Sequence, residues 1–416
     1  MSQRQRLPNV KRDNEKLILY ALNHPAVVSE FLRLLRYGIS KGFDNFSLVF
    51  SNHISGAFPN ACVPIAGIIE YYRGQGLEID AEIVPDLIKS TSILSPLRVF
   101  ENENLIKQAP LSKVWKFENS SDIHRLVDCF AEEVSRQAFC GKDVIESLEW
   151  SLNEVMDNVL QHSSTSTGYI MGQIHNSTKH VALCIFDTGQ GIYNSLRNSK
   201  HSPRSPLDAI TLAVKKGVTR DEKIGQGNGL WGLHYILQEN TGFLSITSNS
   251  ASYVWKGNEI KSFERLPFIS KNVGSTSIDF QINYDKDISL SKIFGHRPVN
   301  LRLEAKESDQ GTVVYRLSEE TSGTGTRQSG ERARNSIENL YLQTYQIVEI
   351  DFENISVISS SFADELIGKL VAKYGFFGFT QIFKLKNMNE IIQSIVNRSV
   401  AQRMMVTFVS DDAFDE

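Results

Sequence analysis

Apolar residues recur at helical spacing near the N-terminus and then give way to shorter, β-rich runs. The helical spacing extends from about Glu15 to Tyr37, and the run Phe46–Phe50 predicts a short strand. After a stretch of turn formers, the apolar segment Ala61–Tyr72 predicts a helix, and Leu77–Ile83 predicts another strand. A strand, a helix and a strand in this order indicate a β-α-β unit with parallel strands.

The middle of the chain has a different order of elements. Helices are predicted at about 120–138, 142–161 and 230–238, and strands at about 168–175, 180–186, 243–248 and 276–284. A long polar stretch and a glycine cluster separate the first two strands from the third helix. Helices, a hairpin, a loop, a helix and a second hairpin together predict an α+β sandwich.

The C-terminal part again alternates helices with strands. The predicted helices are 331–340, 362–373 and 389–397, and the predicted strands are 347–352 and 380–385. Residues 286–310 are charged and irregular and are expected to form a linker, and residues 321–330 are expected to be flexible. The predicted domains are therefore 1–110, 111–285 and 311–416, in which both end domains are small α/β folds of one type.

Composition narrows the class of protein. The 416 residues are 41% hydrophobic and 22% charged, which is ordinary for a soluble globular protein, and a net charge of −4 does not favour a nucleic-acid partner. The four cysteines have no CxxC spacing, so neither a zinc site nor a disulfide framework is expected. No apolar run is long enough to cross a bilayer or to form a signal peptide. We therefore expect a cytoplasmic protein that does not contact a membrane.

The predicted helix SLEWSLNEVMDNVLQHS carries polar residues on a face separate from its buried face. Glu154 and Asn158 lie four residues apart, so they are neighbours on that polar face. The Asn158 amide oxygen can bind Mg²⁺, and the Glu154 carboxylate can take a proton from an attacking oxygen. A helix face that merely contacts solvent would show the same pattern.

A second motif follows the apolar strand Val181–Phe186, where Asp187 precedes the glycines Gly189 and Gly191. A carboxylate just beyond a buried strand can accept a hydrogen bond from an adenine amino group. The glycines allow the backbone to approach a ligand closely. A tight turn would look similar.

A glycine-rich loop opens the next predicted helix, with Gly225, Gly227 and Gly229 before Leu230. Such a loop presents backbone N–H groups and the positive end of the helix dipole to phosphates. It lacks the lysine-hydroxyl end of a Walker A loop and the preceding strand of a dinucleotide-binding fingerprint. A fourth element, the Gly-Ser-Thr-Ser sequence at 274–277, begins the last predicted strand.

In this order and spacing, the four elements resemble the N, G1, G2 and final glycine-threonine boxes of the GHKL superfamily over roughly residues 111–285. The resemblance implies a Bergerat-type α/β sandwich that binds ATP with Mg²⁺, with Asn158 on the Mg²⁺ ion and Glu154 as the general base. The other ATP-binding residues that it implies are Asp187, Gly189, Gly191, Gly225, Gly227, Gly229, Leu230 and Thr276. The stretch 193–224 would form a mobile lid over the nucleotide.

Two further resemblances indicate to which branch of the superfamily the sequence is most similar. The sequence NEVMDNVLQHS is similar to the corresponding helix of anti-sigma-factor serine kinases. Residues 311–416 resemble the STAS domains of anti-sigma-factor antagonists, in which a strand ends in Asp-Ser-Ser-Gly and one serine is phosphorylated. Here Ser359-Ser360-Ser361-Phe362 stands at that place without the Asp or the Gly. Ser360 and Ser361 are therefore candidate phosphoacceptors, with a helix cap as the alternative role. The N-terminal unit resembles a second such domain, with Ser55 and Gly56 at the corresponding turn.

These resemblances imply an ATP-binding regulatory protein. Mg-ATP binding, with hydrolysis or serine phosphoryl transfer, would switch the docking of a STAS-like domain or of a partner protein, and the enzyme would be an ATPase or a serine kinase. Two alternatives stay open, namely a non-catalytic module that senses ATP and a dimerising ATPase that drives a conformational change. The sequence leaves open whether the chain forms a homodimer and whether phosphate is transferred to water or to a serine.

Overall fold

The computed structural model describes residues 8–162, 167–218, 229–270, 273–295, 301–304, 306–308, 311–321 and 323–411. The fold is mixed α+β with several sheets, as the sequence predicts. The chain divides into two compact units, one of residues 1–130 and 149–283 and the other of residues 131–148 and 284–416. Both the predicted N-terminal domain and most of the predicted central domain fall in the first unit. The boundary near residue 110 stays a prediction.

The first unit begins with a four-stranded sheet in the order β1-β2-β3-β4. Its elements are β1 (Val10–Asp13), β2 (Lys16–Leu19), α1 (Ala26–Ser40), β3 (Asn45–Phe50), α2 (Pro59–Gly74) and β4 (Glu78–Asp80). Strands β2, β3 and β4 are parallel, with α1 and α2 as their connections, which confirms the predicted β-α-β unit.

The helical spacing read from Glu15 to Tyr37 was wrong over its first part, where β1 and β2 form an antiparallel hairpin. Within β2, Leu17 and Leu19 are fully buried, while Lys16 is exposed and Ile18 is half-buried, so this short run follows a period of two. Over so few residues, a helical and an alternating pattern cannot be separated by their spacing. The helix α1 begins only at Ala26.

The first unit also contains an eight-stranded sheet in the order β11-β10-β9-β12-β8-β7-β6-β5. Its strands are β5 (Leu97–Arg98), β6 (Trp115–Phe117), β7 (Gly168–His175), β8 (His180–Asp187), β9 (Phe243–Ser248), β10 (Ala251–Lys256), β11 (Glu259–Phe263) and β12 (Thr276–Asn283). The helices of this part of the chain are α3 (Asp86–Lys89), α4 (Glu103–Gln108), α5 (Ser120–Gln137), α6 (Val144–His162), α7 (Gly191–Leu196), α8 (Pro206–Ala213) and α9 (Gly229–Glu239). The strands predicted at 168–175, 180–186, 243–248 and 276–284 are confirmed.

Helix α2 packs against one face of this sheet. Tyr169 and Phe186 are cross-strand partners on that face and belong to the same buried core as the apolar residues of β2, β3 and α2. Gly67 of α2 lies so close to Phe186 that a Cβ atom there would stand 2.4 Å from the ring. Because successive residues of a strand point to opposite faces, Asp187 lies on the face opposite α2.

The second unit contains a three-stranded parallel sheet in the order β13-β14-β15. Its elements are α10 (Leu290–Phe294), α11 (Leu301–Glu304), β13 (Val313–Arg316), α12 (Leu317–Glu320), α13 (Arg327–Thr344), β14 (Val348–Asp351), α14 (Ser360–Ala363), α15 (Lys369–Ile382), β15 (Phe383–Lys386) and α16 (Glu390–Asp411). Helix α15 extends past the predicted end at residue 373, with Gly375 at a φ of 69° inside it, so the last strand begins later than predicted. Short helices α10 and α11 lie in the predicted linker.

The two ends of the chain share one topology. Three parallel strands connected by helices occur in the order β2-β3-β4 at the N-terminal end and β13-β14-β15 at the C-terminal end. In both, a loop of eight residues, 51–58 or 352–359, connects the middle strand to the next helix. The two ends therefore share this order of parallel strands, and their assignment to domains of one type stays a prediction.

Candidate functional site

The predicted catalytic helix is α6, and its polar face meets the first residue of α9. A Cβ atom on Gly229 would stand 2.8 Å from Glu154 Oε2 and 3.2 Å from Asn158 Nδ2, so glycine is what allows this approach. Glu154 and Asn158 are both half-buried. Burial, and then the nearby charge of Asp157, raises the pKa of the Glu154 carboxyl. A raised pKa favours a carboxylate that can accept a proton.

The predicted base-binding carboxylate, Asp187, is the last residue of β8 and is only 5% exposed. Its side chain accepts a hydrogen bond of 2.7 Å from the backbone N–H of Gly189. Burial raises the pKa of Asp187 to about 7, and the Gly189 hydrogen bond opposes that rise. This single hydrogen bond offsets only part of the cost of burying the charge. A further N–H donor would therefore stabilise the Asp187 carboxylate.

The glycines after Asp187 are held against the start of β12. The Ser275 N–H donates to the Gly189 carbonyl at 3.0 Å, and Thr276 is the direct cross-strand partner of Asp187. Gly191 has a φ of 77°, and a Cβ atom there would stand 2.5 Å from Asn249 Oδ1, so both its conformation and its surroundings require glycine.

Two residues that the sequence analysis missed fix this loop in place. Ser248 Oγ accepts from the Ile192 N–H at 2.9 Å and lies 3.1 Å from Thr276 Oγ1. Asn249 Oδ1 accepts from the Tyr193 N–H at 3.1 Å. Ser248 is the last residue of β9 and Asn249 begins the turn after it, far from the glycines in sequence, and the pairing of β9 with β12 brings them close.

The contacts thus gather the predicted residues into two groups within the first unit. One group is Glu154, Asn158 and Gly229, and the other is Asp187, Gly189, Gly191 and Thr276. Leu230 lies in the first turn of α9 beside Gly229. Gly225 and Gly227 lie outside the described residues, as does the end of the predicted lid. The described part of that lid contains α7 and α8, which its polar sequence did not predict.

The polar face of α6 offers two kinds of oxygen donor. Glu154 and Asn158 carry carboxylate and amide oxygens, which are hard donors of the kind Mg²⁺ prefers. Over the ranges that the structure describes, no group of three or more His, Cys, Asp or Glu side chains could hold a metal ion. The predicted Mg²⁺ site at Asn158 stays a prediction.

The serine sequence of the C-terminal part lies where the helix after β14 begins. Ser359, rather than Ser360 or Ser361, is the N-cap, and its Oγ accepts from the Phe362 N–H at 3.0 Å. Ser361 is half-buried with its Oγ 3.0 Å from that of Ser359, whereas Ser360 is exposed. Ser360 is therefore the more accessible of the two predicted phosphoacceptors.

A π-helical segment, Asp364–Gly368, follows these serines and carries two ion-paired carboxylates. Arg403 donates two hydrogen bonds of 2.7 Å to Asp364, and this interaction holds the pKa of that carboxyl below its usual value. Glu365 is paired with three cations, Arg327, Arg334 and Lys369. π-Helical turns are often found at functional sites.

Comparison with known protein families finds one match in this part of the chain. Residues 329–393 match a STAS-like domain of unknown function (DUF4325). The matched segment extends from α13 into α16 and includes Ser360 and Ser361, so the predicted STAS-like character of the C-terminal domain is confirmed. No curated protein matches the chain. Across the described residues, none of the helices has the length and apolar character that a membrane span requires.

Proposed function

We propose that the chain binds Mg-ATP beside the end of β8 and acts as a regulatory ATPase or serine kinase of the GHKL type. The observation that supports this most strongly is the approach of Glu154 and Asn158 to Gly229, with the buried Asp187 in the same unit. These groups come from three separate elements, α6, α9 and β8.

Each of the side chains has a specific role in this proposal. Asp187 accepts an N–H of the nucleotide base, and Asn158 holds the metal ion through its amide oxygen. Glu154 takes the proton of the attacking oxygen on its Oε2 atom, for which its raised pKa is suited. When bound, ATP supplies the phosphoryl group, and the Mg²⁺ ion supplies the positive charge that stabilises the transfer of that group.

The STAS-like domain supplies the regulatory part of the proposal. Ser360 is exposed at the start of a capped helix, so its hydroxyl is accessible to solvent. A phosphate would add about two negative charges there, and it would change which partner surface this helix can contact. The docking of the STAS-like domain, or of a partner protein, would then depend on which nucleotide state the site is in.

Incubation of the full chain with γ-labelled ATP and Mg²⁺ tests the proposal, with free phosphate separated from labelled protein. Label on the protein that disappears in Ser360→Ala supports the kinase form, and release of free phosphate alone supports the ATPase form. Asp187→Asn is the matched variant that should reduce either product. Absence of both label and phosphate release, together with no measurable nucleotide binding, would overturn the proposal.

A further inference from the structure

The N-terminal end of α2 meets polar side chains on the sheet rather than apolar ones. Gln173 Nε2 donates to the Ala57 carbonyl at 2.8 Å, and the Phe58 ring packs edge-on against His175 at 5.5 Å. Asn60 Nδ2 donates to Asp279 Oδ2 at 3.3 Å. All of these residues belong to the first unit, on the sheet face opposite Asp187.

Asp279 lies in the centre of β12 and is only 6% exposed. Its cross-strand partners, Cys184 on β8 and Ser245 on β9, are uncharged groups, and burial raises the pKa of the Cys184 thiol well above its usual value. The group that reaches it from α2 is the neutral amide of Asn60. Cys62, two residues after Asn60 in α2, is likewise a thiol whose pKa burial raises to about 12.

Only one of the two polar atoms of the Asn60 amide forms a hydrogen bond in this contact. Its Oδ1 atom is buried and has no hydrogen-bond donor, while its Nδ2 atom is the donor to Asp279. A carboxylate cannot provide the missing donor, but a protonated carboxyl can. Burial raises the pKa of Asp279 to about 7, and the Asn60 hydrogen bond opposes that rise, so the proton is retained in weakly acidic solution.

We infer that Asn60 and Asp279 form a neutral acid–amide pair, which acts as a pH-sensitive clasp between α2 and the back of the eight-stranded sheet. In this pair, the Asp279 O–H donates to Asn60 Oδ1 and the Asn60 N–H donates back to Asp279 Oδ2. Loss of the proton leaves a buried negative charge and an acceptor without a donor. The clasp therefore weakens as the pH rises.

A second titratable pair at the same helix end responds in the opposite direction. The rings of His175 and His180 are stacked with their centroids 4.7 Å apart, and burial lowers the pKa of both imidazoles. Acidification charges these rings, whereas alkalisation charges Asp279. The end of α2 is thus uncharged only in an intermediate pH range.

The sign of the Asp279 effect follows from its two pKa values. The carboxyl has its usual pKa of 3.8 in the unfolded chain and about 7 in the folded one. Its contribution to the free energy of folding is therefore most favourable at and below about pH 4, declines between about pH 4 and pH 7, and is constant above that range. Asp279→Asn removes this decline, because its amide can donate to Asn60 Oδ1 at every pH.

Thermal unfolding of the full chain between pH 4 and pH 8 tests the clasp, with Asp44→Asn as the control at an exposed aspartate. The unfolding midpoint of Asp279→Asn should rise relative to that of the unmodified protein as the pH increases towards 7, while the control should follow the unmodified protein. Parallel curves for the unmodified protein and Asp279→Asn would overturn the proposal.

Infrared difference spectra provide a measurement that needs no unfolding. The protonated-carboxyl band that is lost in Asp279→Asn should titrate near pH 7 in the unmodified protein. Asn60→Ala removes both hydrogen bonds of the pair, so the C=O stretching band of the protonated Asp279 carboxyl should move to higher wavenumber. A band with no difference between the unmodified protein and Asp279→Asn, or a band position that Asn60→Ala leaves in place, would contradict the acid–amide pair.

Discussion

Gly229, at the start of α9, lies against Glu154 of α6 so closely that a Cβ atom would stand 2.8 Å from the Glu154 Oε2 atom. Two predicted motifs, whose residues Glu154 and Gly229 lie far apart in sequence, are thereby close in space. Under the proposed function, this contact sets the space in which Glu154 and Asn158 meet the phosphates.

Gly229→Ala should weaken Mg-ATP binding about tenfold, because the added methyl group displaces Glu154 and Asn158 from the positions they need. Gly74→Ala is the matched control, since a Cβ atom at Gly74 would meet nothing within 4 Å. Titration calorimetry of both variants compares the affinities. Equal affinities would show that the space beside Glu154 is not used by the nucleotide.

Glu154→Gln should leave Mg-ATP binding within a few-fold of the unmodified protein and reduce phosphate release or transfer by about 10²–10⁴-fold. The amide keeps the size and hydrogen-bonding capacity of the side chain but cannot take the proton. Glu264→Gln, at an exposed glutamate, is the control. Turnover that survives unchanged in Glu154→Gln would favour a different base.

The affinity for ATP should depend on pH through Asp187. Burial raises the pKa of this carboxyl to about 7, and the ionised form is the one that accepts hydrogen bonds only. As the pH falls below 7, a growing fraction of the protein is protonated, so the dissociation constant should rise about tenfold per pH unit. Asp187→Asn should bind more weakly and with a flat profile between pH 5.5 and pH 8. An unmodified protein with a flat profile would contradict the role of Asp187.

The packing of α2 on the sheet should be sensitive to a single methyl group. Gly67→Ala places a Cβ atom 2.4 Å from the Phe186 ring, and we expect it to reduce the free energy of unfolding by about 1–3 kcal/mol. Gly74→Ala in the same helix again serves as the control. Denaturant unfolding of the full chain measures the difference, and an unchanged midpoint would show that α2 does not pack there.

Much of the eight-stranded sheet could be predicted because its strands are continuous apolar runs with clear turn residues between them. β8 is the best example, since seven of its eight residues are buried, and a strand covered on both faces needs no polar alternation. Strand β11 was not predicted. All five of its residues are exposed, so its sequence has neither a continuous apolar run nor an alternation of apolar and polar residues that indicates a strand.

The candidate site was predicted only as far as its residues lie within short motifs. Ser248 and Asn249 were missed because they reach the glycine loop through strand pairing, which joins positions far apart in sequence. The docking of α2 was missed as well, although its sequence held a signal. From Ala61 to Ile69 every residue is buried, and a helix that is apolar all round must be covered on more than one side.

Calorimetric titration of the full chain with Mg-ATP at pH 8, beside Asn158→Ala and Asp187→Asn, measures whether these two residues belong to one nucleotide site. We expect saturable binding by the unmodified protein and weaker binding by each variant, with circular dichroism showing that all three are folded. Folded protein without any heat of binding would contradict the proposed nucleotide site. So would affinities that neither substitution changes.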